Sequence, residues 1–257
     1  MVDAPTSGDA TRPIVAFHDA AIGYRSGQLV LRVPHLALRN GERLGVVGRS
    51  GAGKSTLLRS LLDDSLRRAG RIQIDRQELL RRGIGMVGQD QTLIPWKTVR
   101  AHLTWAARST SGSPDAQSPD RLLAAVGLEG PSAEKFPDAL SGGMRRRLML
   151  AMALAARPSL LILDEAFGSV DYFTKADLVG AVNEYCDEVG ATLLLVSHDM
   201  REIASLAKRV ACIDQAGVLT AISFSSLAVG TPFVSECVSK EADRLFHTLN
   251  PLIGDEE

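Results

Sequence analysis

The stretch "GRSGAGKST", residues 48–56, decides the fold. It fits the pattern G-x-x-x-x-G-K-[ST]. It follows "GERLGVVG", a short apolar run behind the turn-forming pair Asn40-Gly41, and precedes "STLLRSLL". A buried strand therefore leads through a glycine-rich loop into a helix starting near Lys54. Gly48, Gly51 and Gly53 leave room for the backbone to wrap an oligophosphate. Lys54 would reach the β- and γ-phosphates, and the Ser55 hydroxyl would sit on Mg²⁺. Arg49, Ser50, Ala52 and Thr56 complete the set of candidate phosphate-loop residues.

A nucleotide hydrolase also needs a carboxylate at a strand end. "LLILDE", residues 160–165, supplies one: four apolar residues, then Asp164 and Glu165. Asp164 would hold the metal, directly or through water. Glu165 would orient or deprotonate the attacking water. The pattern is weak alone and gains its meaning from the phosphate loop upstream.

Outward from these two motifs, short apolar strands alternate with helices. Downstream of "LLILD" come helix "TKADLVGAVNEYCDEV", strand "TLLLVS", helix "MREIASLAK" and strand "RVACID". Such alternation predicts an α/β fold with a mainly parallel sheet covered on both faces. Upstream, "PIVAFHDA" and "QLVLRVPHLALRN" carry β patterns with turn residues between them, and "RIQI" and "IGMVG" read as further strands. Residues from about 90 to 157 break the alternation with helices alone ("TVRAHLTWAAR", "DRLLAAVGL", "MRRRLMLAMALAA") and read as a helical subdomain inserted into the α/β core. The polar stretch "STSGSPDAQSPD" inside it reads as an exposed loop without a functional role.

Composition sets the limits. A chain of 257 residues with 45% hydrophobic content can bury a sizeable core. A formal net charge of −1 argues against nucleic acid as the main partner. Cys186, Cys212 and Cys237 lack metal-ligand spacing and read as three unpaired thiols of a reducing compartment. "MVDAPTSGDATRP" has no apolar centre of the secretory kind, and no apolar run approaches a membrane span. If the protein serves a membrane process, another chain crosses the bilayer.

"LSGGMRRRL", residues 140–148, poses a separate problem. Ser141 reads as the N-cap of a long helix that stops before Pro158. Its free N–H groups, with Gly142 and Gly143, suit an anion far from the phosphate loop in sequence. Arg145, Arg146 and Arg147 point about 100° apart on a helix and cannot form one patch. They read as a solvated face or as inter-lobe salt bridges.

With these pieces in place, the chain resembles the ATP-binding cassette ATPases, the nucleotide-binding subunits of ABC transporters. The resemblance covers about residues 14–220 and rests on motifs in the family's order. "GYRSG" offers Tyr24 where the family stacks an aromatic ring on adenine; "GRSGAGKST" is the Walker A loop; "VGQD" offers Gln89 for the Q-loop, which senses Mg²⁺. "LSGGM" matches the signature, "LLILDE" the Walker B strand, "SVD" the D-loop with Asp171, and "VSHD" the switch histidine, His198. The resemblance implies a P-loop NTPase (RecA-like) core with an antiparallel β part at the N-terminus, an inserted helical subdomain, a flexible segment 1–13 and a C-terminal extension 221–257.

It also implies a function. Two cassettes would close head to tail around two ATPs. Ser141, Gly142 and Gly143 would cap the γ-phosphate held by the partner's Walker A loop. ATP and Mg²⁺ are the expected cofactors. The expected partners are a second cassette, permease subunits on separate chains and a solute-binding protein, with no nucleic acid. The chain would be cytoplasmic, peripheral on the inner face of the membrane. "LIPWKTVRAHL" and "EAFGSVD" resemble the nitrate, sulfonate and taurine importers, whereas "FPDALSGGMRRRLMLAMALAARPSLLILDE" resembles the peptide and nickel importers. An importer is the leading reading. A lipid or drug exporter is the alternative, with a soluble cassette ATPase of DNA repair or translation further behind. Trp96 is expected either to touch the permease or to fill the core. Ala166 stands where the family nearly always has proline, so a looser backbone at Glu165 is expected.

Overall fold

The computed structural model describes residues 13–24, 28–88, 92–109, 118–168 and 170–223. It resolves into two compact units, Met1–Asp75 with Leu194–Glu257 and Arg76–Leu193. Gln89, Ser169, the segment 1–12, most of the polar loop and nearly all of the proposed C-terminal extension lie outside the described residues.

In the first unit, β1 (Pro13–Gly23) lies between β2 (Leu29–Arg39) and β4 (Arg67–Ile74) in an antiparallel sheet. β2 buries Leu31, Val33, Leu36 and Leu38 and leaves Arg32, Pro34 and Arg39 outside. Pro34 is tolerated because β2 is an edge of this sheet, where the outer backbone bond, from Arg32 N–H to the Gly217 carbonyl at 2.7 Å, falls short of it. The register of β1 against β4 slips between His18 and Ala21, where Asp19 has φ 45°. Gly70 faces that bulge with φ +69°, and a Cβ there would lie 2.1 Å from the Asp19 carbonyl oxygen.

β3 (Arg43–Gly48) runs parallel to β8 (Arg209–Ile213), with Gly48 opposite Ile213. β9 (Leu219–Ser223) pairs antiparallel on the far side of β8. Leu44, Val46, Val210, Ala211 and Ile213 are buried, as the unbroken apolar runs required. α1 (Lys54–Arg59) is shorter than the apolar run suggested. The Ser60 hydroxyl turns back to donate to the Leu57 carbonyl at 2.7 Å and marks the helix end. α7 (Met200–Leu206) completes this unit.

The second unit holds α2 (Arg76–Arg82), which the sequence reading missed, and β5 (Ile84–Val87) parallel to β6 (Leu160–Asp164). Between these strands come α3 (Val99–Ser109), α4 (Pro119–Ala125) and α5 (Gly142–Ala155). α6 (Tyr172–Val189) follows β6 and ends on Gly190 in the left-handed region. β7 (Thr192–Val196) straddles the division between the units. The Tyr185 hydroxyl, in α6, donates to the Pro158 carbonyl at 2.8 Å. Burial holds that phenol protonated well above its usual range.

The cysteine reading needs correction. Cys186 is a buried thiol outside any disulfide, but Cys212 is disulfide-bonded. An odd count of three leaves room for one pair, so parity alone never excluded it.

Candidate functional site

The phosphate loop joins β3 to α1 through backbone conformations that favour glycine. Gly51 has φ +78° and Gly53 φ +98°. At Gly53 a Cβ would also lie 2.8 Å from Val30 Cγ1, so the loop closes against β2. Lys54 is buried, and its Nζ donates to the carbonyls of Gly48 at 2.8 Å and Arg49 at 2.9 Å. The four-carbon stem thus folds back over the loop and puts the ammonium where the loop begins. Arg49, Ser50 and Gly51 are exposed, Gly48, Ala52, Gly53 and Ser55 are half-buried, and Thr56 is buried.

Tyr24 joins this loop from β1's end. Its hydroxyl lies 3.3 Å from Thr56 Oγ1 while the residue stays 41% exposed. A hydrogen bond at the tip and a free ring are what stacking on a flat ligand requires.

His198 sits in the turn between β7 and α7. Ser197 Oγ donates to Glu202 Oε2 at 2.5 Å and accepts from Asp199 N–H at 3.0 Å. Asp199 caps α7 by accepting from Arg201 N–H. Both neighbours of His198 are therefore fixed, and its own side chain is exposed.

In the second unit, Ser141 caps α5 as expected: its Oγ accepts from Met144 N–H at 3.2 Å. The cap uses a lone pair and leaves the hydroxyl proton available to donate outward. Ser141 and Gly142 are exposed and Gly143 is half-buried. A Cβ added at Gly142 would meet nothing within 4 Å.

The three arginines that follow do something the sequence did not reveal. Arg145 Nε donates to the Pro137 carbonyl at 3.1 Å. Arg146 Nη1 donates to the Glu165 carbonyl at 3.0 Å. Arg147 Nη1 donates to the carbonyls of Val126 and Gly127 at 3.2 and 3.0 Å. They point apart as predicted, Arg145 staying exposed and Arg146 and Arg147 half-buried, and each also satisfies a main-chain carbonyl.

Asp164 ends β6 and is 5% exposed; Glu165 follows, half-buried, with φ 50°. Its carbonyl accepts from Arg146 and from Gly168 N–H at 3.2 Å. Ala166 and Phe167 are buried beneath the turn. The backbone expected to be loose without proline is thus tied at the Glu165 carbonyl by two donors. Asp171 caps α6 by accepting from Thr174 N–H at 3.1 Å. The Thr174 hydroxyl first, and then this N–H, hold its exposed carboxyl below the usual carboxylate range.

Trp96 is 77% exposed, so the core alternative falls. It sits in a turn closed by Lys97 N–H on the Ile94 carbonyl at 3.1 Å. Nearby in the chain, Ile84, Met86, Thr92, Leu93, Trp105 and Met149 line a cavity of about 350 Å³. No helix among the described residues is long and apolar enough to cross a membrane.

The phosphate loop and Tyr24 are brought together in the first unit, whereas the signature helix and the Glu165 turn are tied together in the second. Gln89 falls outside the described residues.

Comparison with known proteins agrees with these motifs. The sequence model of the family described as ABC transporter matches residues 31–168. The methionine import ATP-binding protein MetN of Mesorhizobium japonicum is 40% identical over 192 residues, 70% of this chain and 52% of the relative. The chain thus spans about half that relative's length. The aliphatic sulfonates import ATP-binding protein SsuB of Cupriavidus pinatubonensis is 36% identical over 217 residues, 83% of this chain and 71% of the relative. A solved structure described as the ATP binding subunit of an ABC transporter superposes with a TM-score of 0.71 at 27% identity. It covers 82% of this chain and 90% of its own.

Proposed function

The chain belongs to the ABC transporter family, and on that premise we propose that it is the ATP-binding and ATP-hydrolysing subunit of a bacterial importer. The observation that carries the reading is Lys54, folded over a loop of left-handed glycines with its ammonium at the loop's start. The import names of its relatives support import over export. The solute is recognised by other chains, the membrane-spanning permease and a solute-binding protein.

Each residue has a task in this reading. The loop N–H groups and Lys54 hold the β- and γ-phosphates, and Tyr24 stacks on the adenine. Glu165 takes a proton from the attacking water, and His198 contacts the γ-phosphate oxygens. Ser141, Gly142 and Gly143 cap the phosphates of ATP held by a second cassette, and Asp171 would serve the same shared site. Hydroxyl, carboxamide and carboxylate oxygens are the donors Mg²⁺ prefers, so Ser55, Gln89 and Asp164 fit it as ligands. The ion would neutralise charge on the phosphate oxygens.

The division of labour makes closure of two cassettes depend on ATP, and reopening depend on hydrolysis. The chain would work at the inner face of the membrane, docked on the permease through the exposed turn that carries Trp96.

The test is steady-state phosphate release. Glu165→Gln keeps the shape and removes the base, so it should retain ATP binding and lose turnover by about 10²–10⁴-fold. A Glu165→Gln protein that turns over at the unmodified rate would remove Glu165 from its role.

A further inference from the structure

We propose that His102 is the positioning residue of the Trp96 turn, and that its protonation releases that turn in mildly acid solution. The docking part of this inference rests on the reading, given above, that the turn meets the permease. The geometric part stands alone.

His102, on α3, is completely buried. Its ring spans the two ends of a five-residue segment, Ile94-Pro95-Trp96-Lys97-Thr98. Nε2 accepts from the Ile94 N–H at 2.9 Å, and Nδ1 lies 2.8 Å from the Thr98 carbonyl oxygen. A carbonyl only accepts and an N–H only donates. The two contacts therefore assign the proton to Nδ1 and the lone pair to Nε2. One neutral imidazole thus closes the loop, while Trp96 within it stays exposed.

The rest of the segment is held at its Thr98 end. Thr98 starts α3: its Oγ1 accepts from Ala101 N–H at 3.2 Å, and its carbonyl also accepts from His102 N–H at 3.0 Å. Val99 N–H donates to the Lys135 carbonyl at 3.0 Å. At the Ile94 end, His102 ties the turn to α3.

A second proton on the ring would have to go to Nε2, the atom that accepts from Ile94. Two donors would then face each other, the bond would be lost, and a charge would be buried. Burial holds the imidazole below its usual value; the Thr98 carbonyl opposes this and Lys97 adds to it. Of the other charged groups on elements packed against α3, Arg121 of α4 is exposed and has no bearing on the ring, and the rest are engaged elsewhere. Asp120 of α4 and Glu134 both pair with Arg100, and Arg145, Arg146 and Arg147 of α5 go to carbonyls. Among the described residues, Lys97 is the charged side chain whose field bears on the ring.

The sign follows. Above the ordinary histidine value the ring is neutral whether or not the turn is formed, and the turn is fully held. As pH falls below that value, the released turn binds a proton that the closed turn refuses. The closed form therefore loses ground progressively down to the depressed value of the buried ring.

The test uses the full chain carrying Trp105→Phe, so that Trp96 is the sole tryptophan. Its emission and anisotropy are followed from pH 8 to pH 5, with far-UV circular dichroism and ATP binding as controls. The expected result is a red shift and a fall in anisotropy with a midpoint below the ordinary histidine value. Adding His102→Gln, an amide that can donate and accept but cannot titrate, should abolish the transition. The same transition in the glutamine variant, or none in the parent, overturns the proposal.

If His102→Gln does not fold, ¹⁵N spectroscopy of the histidine rings in the unmodified chain decides instead. A neutral ring protonated at Nδ1 supports the proposal, and a buried ring protonated at Nε2 overturns it. A separate arm tests docking: co-purification of Trp96→Ala with the membrane subunits. Retained association together with a His102-dependent transition would sink the docking reading and leave the positioning role standing.

Discussion

The Arg146 guanidinium donates to the main-chain carbonyl of Glu165 at 3.0 Å, and Glu165 adopts φ 50°. A non-glycine residue in the left-handed region carries a conformational cost and persists where its surroundings hold it. The helix that begins at Ser141 thereby fixes the residue proposed as the base. Arg146→Ala should lower turnover by about tenfold while leaving the ATP dissociation constant nearly unchanged. That corresponds to about 1.4 kcal/mol, close to the lower end of what a hydrogen bond from a charged donor contributes. Single-turnover phosphate release alongside equilibrium ATP binding measures the split. Equal losses in binding and turnover would mean that Arg146 acts on the whole fold.

Tyr24 presents an exposed ring and a hydroxyl 3.3 Å from Thr56 Oγ1. Tyr24→Phe keeps the ring and should change ATP affinity by less than about threefold. Tyr24→Ala removes the stacking surface and should weaken it by about tenfold, on the scale of 1–3 kcal/mol per stacked base. Titration with a fluorescent ATP analogue altered only in the phosphates reads both variants. Equal affinities for Phe and Ala would place adenine elsewhere.

Gly142 has open space around it, so its lack of a side chain is not demanded by packing in its own unit. Gly142→Asp should fold normally, since an acidic side chain suits the first turn of a helix. It should nevertheless repel a phosphate brought by a second cassette. One chain carrying Lys54→Ala and another carrying Gly142→Asp should each fail to trap ATP as homodimers. Their mixed dimer should trap one ATP, because both lesions fall in one shared site and leave the other intact. A verified mixed dimer that traps nothing would refute sites shared between chains.

Gly70 faces the β1 bulge with φ +69° and its missing Cβ 2.1 Å from the Asp19 carbonyl oxygen. Gly70→Ala combines a left-handed alanine with a backbone clash and should cost roughly 2–4 kcal/mol. Urea unfolding would show the midpoint fall, and phosphate release per folded chain should stay unchanged. An unaltered midpoint would mean that the bulge opens without cost.

Local chemistry made half of this protein legible. A glycine-rich loop needs left-handed backbone at fixed spacing, so residues 48–56 announced the phosphate loop, and Gly51 and Gly53 adopt those angles. Ser141 and Asp171 cap helices through bonds spanning three residues, and such short-range geometry is written in neighbouring letters. The unbroken apolar runs of β3, β6 and β8 required strands covered on both faces, and parallel pairing followed. What the tertiary structure decided are the contacts between segments distant in the chain. Helical geometry separated Arg145, Arg146 and Arg147, but their targets lie at Pro137, Glu165 and Val126–Gly127. A carbonyl left over by a turn is chemically identical at every residue, so no letter marks which one an arginine will reach. The same holds for His102: its burial, and its choice of Ile94 and Thr98 as partners, arise from how α3 packs. Trp96, an aromatic residue that composition would assign equally to core or surface, was placed outside by that turn.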